Sequence, residues 1–180
     1  MREELETGEI DVITGMIYSE KRDRYVDFSQ THSTIFHSIF IKKTDPPIKH
    51  TNELKGKEVI VQESDIMYDF VKEMGIENII TSNSPESSLR FLAVGKGDYA
   101  LAIENQGLYC IEEMNLTNIK ITGSSFQFSE YCFATKEGNK VLLEKLNEGL
   151  EILKKTEEYT KIHKWLSGLK PHSKIAVYLE

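Results

Sequence analysis

The sequence predicts an α/β fold built on a largely parallel sheet, and three observations carry that expectation. Between Thr51 and Ile121 short apolar runs alternate with amphipathic stretches of helical length, the βαβ pattern that buries parallel strands under helices. Start and stop residues sit where the alternation needs them, with Ser84 ahead of Pro85 at one helix start and Gly75 behind Met74 at one helix end. A chain of 180 residues, 39% hydrophobic and 28% charged, is long enough for one large or two small cores.

Taken in order, Met1 to Thr7 is polar and helix-compatible. Ile10, Val12 and Ile13 form a short apolar strand opened by Gly8, and Gly15 then lets the backbone turn where a side chain would obstruct it. Ser19 is placed to cap a helix whose first turn is Glu20, Lys21 and Arg22, so that backbone N–H groups and a guanidinium converge. That is chemistry for an anion, most naturally a carboxylate. STIFHSIFIKK, Ser33 to Lys43, reads as a strand ended by Pro46-Pro47.

Strands are then expected at Glu58–Gln62, Asn78–Ile80, Tyr99–Ile103 and Ile119–Ile121, and helices at Asp65–Met74, Pro85–Val94 and Gly107–Met114. Ile66, Phe70, Val71 and Met74 share one helical face. Tyr131 to Thr135 is a further strand. Gly138-Asn139 leads into a helix whose Leu142, Leu146, Leu150 and Leu153 form one stripe, and Thr156 opens another with Tyr159, Ile162 and Leu166 on its apolar face. Trp165 and Leu166 are read as packing residues.

The formal charge of -7 argues against nucleic acid as a partner, since a phosphate-backbone binder needs a basic face. No apolar run approaches the ~20 residues that span a bilayer, and no basic start precedes an apolar h-region. Cys110 and Cys132, the only cysteines, form no CxxC pattern and are read as buried thiols. No HExxH pair or EF-hand spacing occurs, so neither a metal nor another cofactor is expected. Gly95-Lys96-Gly97-Asp98 lacks the Gly-Lys-Ser/Thr ending of a phosphate loop and reads as a helix stop.

The stretch GEIDVITGMIYSEKRDRYVDFS, Gly8 to Ser29, resembles a segment of the extracellular solute-binding proteins of family 3, the polar-amino-acid type with the type 2 periplasmic-binding or Venus-flytrap fold. The matching positions are Gly8, Asp11, Gly15, Met16, Arg22, Val26, Asp27, Phe28 and Ser29. KGKEVIVQ at Lys55–Gln62, GKGDYALAI at Gly95–Ile103 and EGLEILKKTEEYTKIHKWL at Glu148–Leu166 follow in the family's order. The resemblance implies two α/β lobes joined by two crossing strands, with a ligand cleft where the lobes meet. Residues 1–43 would be the first part of lobe one, 44–128 lobe two, and 129–180 the return strand and closing helices of lobe one. It also implies that the first part of lobe one is missing, which would favour self-association through uncovered sheet surface.

Carried over residue by residue, the resemblance makes Arg22 the clasp for a ligand carboxylate, although on residue type alone an ion pair with Asp23 or Asp27 would be the commoner role. Gly15 and Ile17 would line the same wall through their backbone. On lobe two, Gln62 is the better pocket candidate, Ser64 or Asp65 is most simply a helix cap, and Glu104 lies one residue beyond Ile103, where the family's acid for a ligand amine is expected. A regular strand would turn Glu104 away, so a carboxylate without an α-amine, or another polar solute, is expected over an amino acid.

The implied function is non-enzymatic: an extracytoplasmic domain that closes on a small polar or carboxylate solute, as the sensor domain of a membrane signalling receptor such as a histidine kinase or diguanylate cyclase. The extension from Lys170 to Glu180 and the altered lobe-two motif favour that use over an amino-acid-type ABC importer working with a permease. A third reading is an enzyme like the periplasmic dehydratases on this fold, with Glu63, Glu104 or His37 as acid or base.

Overall fold

The computed structural model describes residues 2–168. In chain order the elements are α1 (Arg2–Thr7), β1 (Val12–Ile17), β2 (Val26–Phe28), β3 (Ser33–Lys42), a 3-10 turn (Thr51–Leu54), β4 (Val59–Gln62), α2 (Ile66–Glu73), β5 (Ile79–Ser82), α3 (Pro85–Ala93), β6 (Tyr99–Ile103), α4 (Glu104–Glu113), β7 (Ile119–Lys136), α5 (Lys140–Lys154) and α6 (Glu157–Gly168). They form two compact units, Met1–Thr34 with Ser129–Glu180 as unit 1 and Ile35–Phe128 as unit 2. The chain passes from one to the other within β3 and returns within β7. The side chains of Trp165 and Leu166 and the 170–180 extension lie outside the described residues.

Unit 2 is the α/β sandwich that the alternation requires. Its strand order is β7-β3-β6-β4-β5, with β4 parallel to both β5 and β6 and β6 antiparallel to β3. Period-two alternation separates two cores. Ile39, Ile41, Val59, Val61 and Leu101 face one way and pack with Met67 and Val71 of α2, while Phe40, Ile60, Ala100 and Ala102 face the other and pack with Leu89 and Leu92 of α3 and Cys110 of α4. The helix signals act as read. Ser84 Oγ accepts from Ser87 N–H at 3.2 Å, and Gly75, at φ 73°, ends α2 by donating to the Lys72 carbonyl at 3.0 Å.

Unit 1 is smaller. β1 and β2 pair antiparallel with the C-terminal part of β7, in the registers Val12↔Thr135 and Val26↔Lys136. Leu5, Ile13, Val26 and Ala134 form its buried cluster, with Ile10, Met16 and Phe28 against it. The closing helices are tied to the start of β3: Lys154 Nζ donates to the Thr31 carbonyl and the Tyr159 hydroxyl to the His32 carbonyl, each at 2.7 Å.

Four expectations are corrected. Residues 20–25 form turns and no helix follows Ser19, because the chain must return at Val26 to pair with β7. β1 runs through Gly15, where the pairing slips between Ile13 and Met16, so the glycine sits in an irregular strand and makes no turn. The strands expected at Ile119–Ile121 and Tyr131–Thr135 are one 18-residue strand. Gly123 is absorbed in it at φ 69°, and Thr122 Oγ1, bonded to both N–H and carbonyl of Ile48, anchors it there. Finally, Leu153 at the end of the α5 stripe is exposed, while Leu150 is buried.

Two substitutions test this packing. α1 has only six residues, too few to persist as an isolated helix, and the fully buried Leu5 anchors it. Leu5→Ala should lower unfolding free energy by about 2–5 kcal/mol in chemical denaturation. In α4, a Cβ on Gly107 would overlap the ring of the fully buried Phe40. Gly107→Ala should therefore destabilise by about 1–3 kcal/mol although alanine is the better helix former, and a stabilised variant would show that the ring can move aside.

Candidate functional site

In unit 1 the predicted residues converge on the end of β1. Ile17 closes that strand and is buried, and its carbonyl accepts from Arg22 Nη1 at 3.2 Å. The arginine reaches back because Ser19 folds the intervening chain: its carbonyl accepts from the N–H groups of Arg22 and Asp23, both at 2.9 Å, and its hydroxyl accepts from Arg22 N–H at 3.3 Å. Ser19 thus caps one turn that does not propagate. The guanidinium is half-buried and held by its own strand, an arrangement that fixes its direction at little further entropic cost. Gly15 is needed for space, since a Cβ there would lie 2.7 Å from Cε1 of Tyr131. Tyr18 packs edge-on against Phe28, with ring centroids 5.3 Å apart.

A concavity of unit 1, about 570 Å³, lies elsewhere. Glu6, Tyr25, Lys136, Glu137 and Gly138 line it, none of them a predicted site residue. Its walls carry both signs of charge and it is open to solvent.

In unit 2 the parallel strands β4, β5 and β6 end at one edge, and α2, α3 and α4 start from it, the place where α/β sheets hold ligands. Gln62 closes β4 and Asp65 caps α2, its carboxylate accepting from Met67 N–H at 2.9 Å. Ser64 between them is exposed, with φ at 62°, a left-handed conformation more usual for glycine. Gln62 and Asp65 line a small cavity together with Ser88, Ile103 and Gln106.

Glu104 departs most from the sequence reading. The helix expected from Gly107 begins at Glu104 itself, so the strand alternation that would turn this side chain away stops at Ile103. Glu104 is buried, 7% exposed. Its Oε2 accepts from Ser38 Oγ at 2.7 Å and from Ser125 Oγ. These hydroxyls orient a carboxylate inside unit 2.

His37, which the sequence offered only as an acid or base for an enzyme, is fully buried in β3, opposite Ile103 in the pairing with β6. Neither ring nitrogen meets hydrogen-bond geometry with a partner among the described residues. Burial pushes its pKa down, while the Asp65 carboxylate and the backbone of Gln127 act the other way. The one signal in the sequence was a histidine inside an apolar strand run. Ser38 and Ser125 carried no signal of their own.

Cys110 and Cys132 are buried and free, and burial with Glu86 alongside pushes the Cys110 thiol up to about 11. Among the described residues, no three His, Cys, Asp or Glu side chains gather to hold a metal ion, and no helix is long and apolar enough to cross a membrane.

Residues 1–168 match the bacterial extracellular solute-binding proteins, family 3. The glutamine-binding protein GlnH of a Bacillus subtilis (strain 168) ABC transporter is 28% identical over 165 residues, which cover 90% of this chain and 60% of GlnH. The L-cystine-binding protein TcyJ of Escherichia coli (strain K12) is 26% identical over 84% of this chain and 58% of its own. The chain thus spans less than two thirds of these curated relatives. Among solved structures, a histidine kinase sensor domain with similarity to periplasmic binding proteins gives a TM-score of 0.90 at 34% identity, over 93% of this chain and 74% of that one. An ancestral arginine-binding protein bound to glutamine gives 0.84 at 31% identity, over 93% and 75%. The chain belongs to the bacterial extracellular solute-binding proteins of family 3, a solute-binding domain with the periplasmic-binding-protein fold.

Proposed function

We propose that this domain binds an α-amino acid and reports its presence as the sensor domain of a membrane signalling receptor. The observation that carries the ligand class is the buried Glu104 carboxylate held by Ser38 and Ser125. An amino acid presents an ammonium and a carboxylate, and each needs a counter-charge once removed from water. Glu104 takes the ammonium in this reading, and Arg22 takes the carboxylate, aided by the backbone at Gly15 and Ile17. Gln62, Ser64 and Asp65 form the remaining polar contacts. The expectation of a solute without an α-amine rested on Glu104 pointing away from the site, and with α4 starting at that residue its basis is gone.

Relatives named for glutamine and L-cystine, and an ancestral arginine-binding protein bound to glutamine, support the amino-acid reading. The histidine kinase sensor domain, at 34% identity, supports the sensor role, and the GlnH relative favours a second reading as the binding component of an ABC importer. A kinase or cyclase encoded in the same reading frame is expected under the first, and a neighbouring permease under the second.

Calorimetric titration against the twenty common L-amino acids and their α-hydroxy analogues tests the ligand class. Micromolar binding of an amino acid is expected, with its hydroxy analogue bound far more weakly, and tighter binding of the hydroxy acid would reject the ammonium role of Glu104. Removing one partner of a partly buried charged pair costs roughly 3–5 kcal/mol, so Arg22→Ala should weaken binding by about two to three decades or more. Glu104→Gln keeps the shape and should also weaken it strongly. Equal affinity in Arg22→Ala would return that arginine to a local structural role.

A further inference from the structure

We infer that His37 is a solute-contacting and specificity-determining residue of unit 2, whose imidazole hydrogen-bonds the nitrogen-bearing, uncharged or cationic side-chain terminus of the bound amino acid. This rests on the amino-acid reading above and adds to it which side chains are admitted. His37 is fully buried and neither ring nitrogen meets hydrogen-bond geometry with a partner among the described residues, although the Gln127 backbone lies near enough to act on the ring. Such a group destabilises the empty fold, because water has been lost from both nitrogens with nothing gained in return. An apolar side chain in the same place would lie on the Ile39 and Ile41 face of the same strand without that penalty. A residue kept at a cost to stability marks function.

Its position fits. His37 lies behind the small cavity at the strand ends: it pairs with Ile103, which lines that cavity together with Gln62, Asp65 and Gln106. The sign of the charge around it selects the ligand. Asp65 acts on the ring from the α2 cap, and Glu104 stands at the start of α4 immediately beyond Ile103.

Two of the three helix N-termini at this edge, which would otherwise attract an anion, already hold internal acceptors, Asp65 on Met67 N–H and Ser84 on Ser87 N–H, while α4 has no side-chain cap and opens on the acidic Glu104. A side-chain carboxylate on the solute would therefore meet two fixed carboxylates, Asp65 and Glu104. A neutral imidazole offers one donor and one acceptor, which suits a carboxamide or a guanidinium. Burial lowers the pKa of His37, and so keeps the ring in that neutral form.

The test combines binding with stability, using L-glutamine, L-arginine and L-glutamate as probes on the parent, His37→Leu and His37→Gln. The parent should bind glutamine or arginine at least about tenfold more tightly than glutamate. His37→Leu should lose about tenfold or more in affinity for the better probe. Its ligand-free melting temperature should hold or rise by about 2–6 °C, since the unpaired group is gone. His37→Gln, which restores a donor and an acceptor, should keep most of the affinity.

Unchanged affinity in His37→Leu overturns the inference, and so does lost affinity accompanied by a lower melting temperature, which would make His37 a structural residue. Glutamate as the tightest probe overturns the charge argument. A parent that binds none of the three fails the amino-acid reading itself and takes the inference with it, an outcome distinguished by the silence of the unmutated protein.

Discussion

The buried carboxylate of Glu104 is the interaction on which the rest of unit 2 turns. Its two serine donors come from the two strands in which the chain passes between the units, Ser38 from β3 and Ser125 from β7. A single side chain at the start of α4 thereby bonds both strands at once. Hydrogen bonds to an ionised acceptor are stronger than neutral ones, and the low dielectric of a buried site strengthens them further. A solute group that draws on the same carboxylate would change the charge balance at the point where β3 and β7 are held. In the proposed reading, the residue that takes the solute's ammonium is also the one that bonds the two crossing strands.

Much of unit 2 was legible because local and tertiary preferences agree there. Tyr99 to Ile103 is the strand that its apolar run predicts, and α2 and α3 begin and end on Asp65, Ser84 and Gly75, side chains whose capping chemistry is explicit. The start of α4 was not legible for the converse reason. Its N-cap, Ile103, has no side chain able to accept a hydrogen bond, so nothing in the sequence announces a helix before Gly107. That three-residue error moved Glu104 from a strand, where alternation turns it outward, to a helix start, where it is buried. β7 was misread because Gly123-Ser124-Ser125 has the composition of a turn, whereas the pairing of its two ends and the Thr122–Ile48 bonds keep the strand continuous.

The candidate site shows the same division. Arg22 was offered by its place in a motif, but the means of holding it was not: the expected helix N-terminus is a single turn, and the Ile17 carbonyl accepts from the guanidinium instead. Gln62 and Asp65 were legible because strand end and helix cap follow from short-range pattern. His37 was not, since nothing local distinguishes a histidine with bonded ring nitrogens from one with none. That distinction depends on which residues of β6 and β7 come to lie beside it, a tertiary fact.

The two cysteines bear on where such a domain operates. Family 3 proteins are extracellular, and an oxidising compartment tends to convert accessible thiol pairs to disulfides. Here Cys110 lies in unit 2 and Cys132 in unit 1, each buried and free. Oxidation and exchange proceed through the thiolate, and burial raises the pKa of both thiols, Cys110 to about 11 with Glu86 adding to the shift. At neutral pH the reactive form is scarce and the sulfur is out of reach of solvent. The same burial that makes these residues core hydrophobes, Cys110 beside Leu89 and Leu92, also protects them chemically against oxidation.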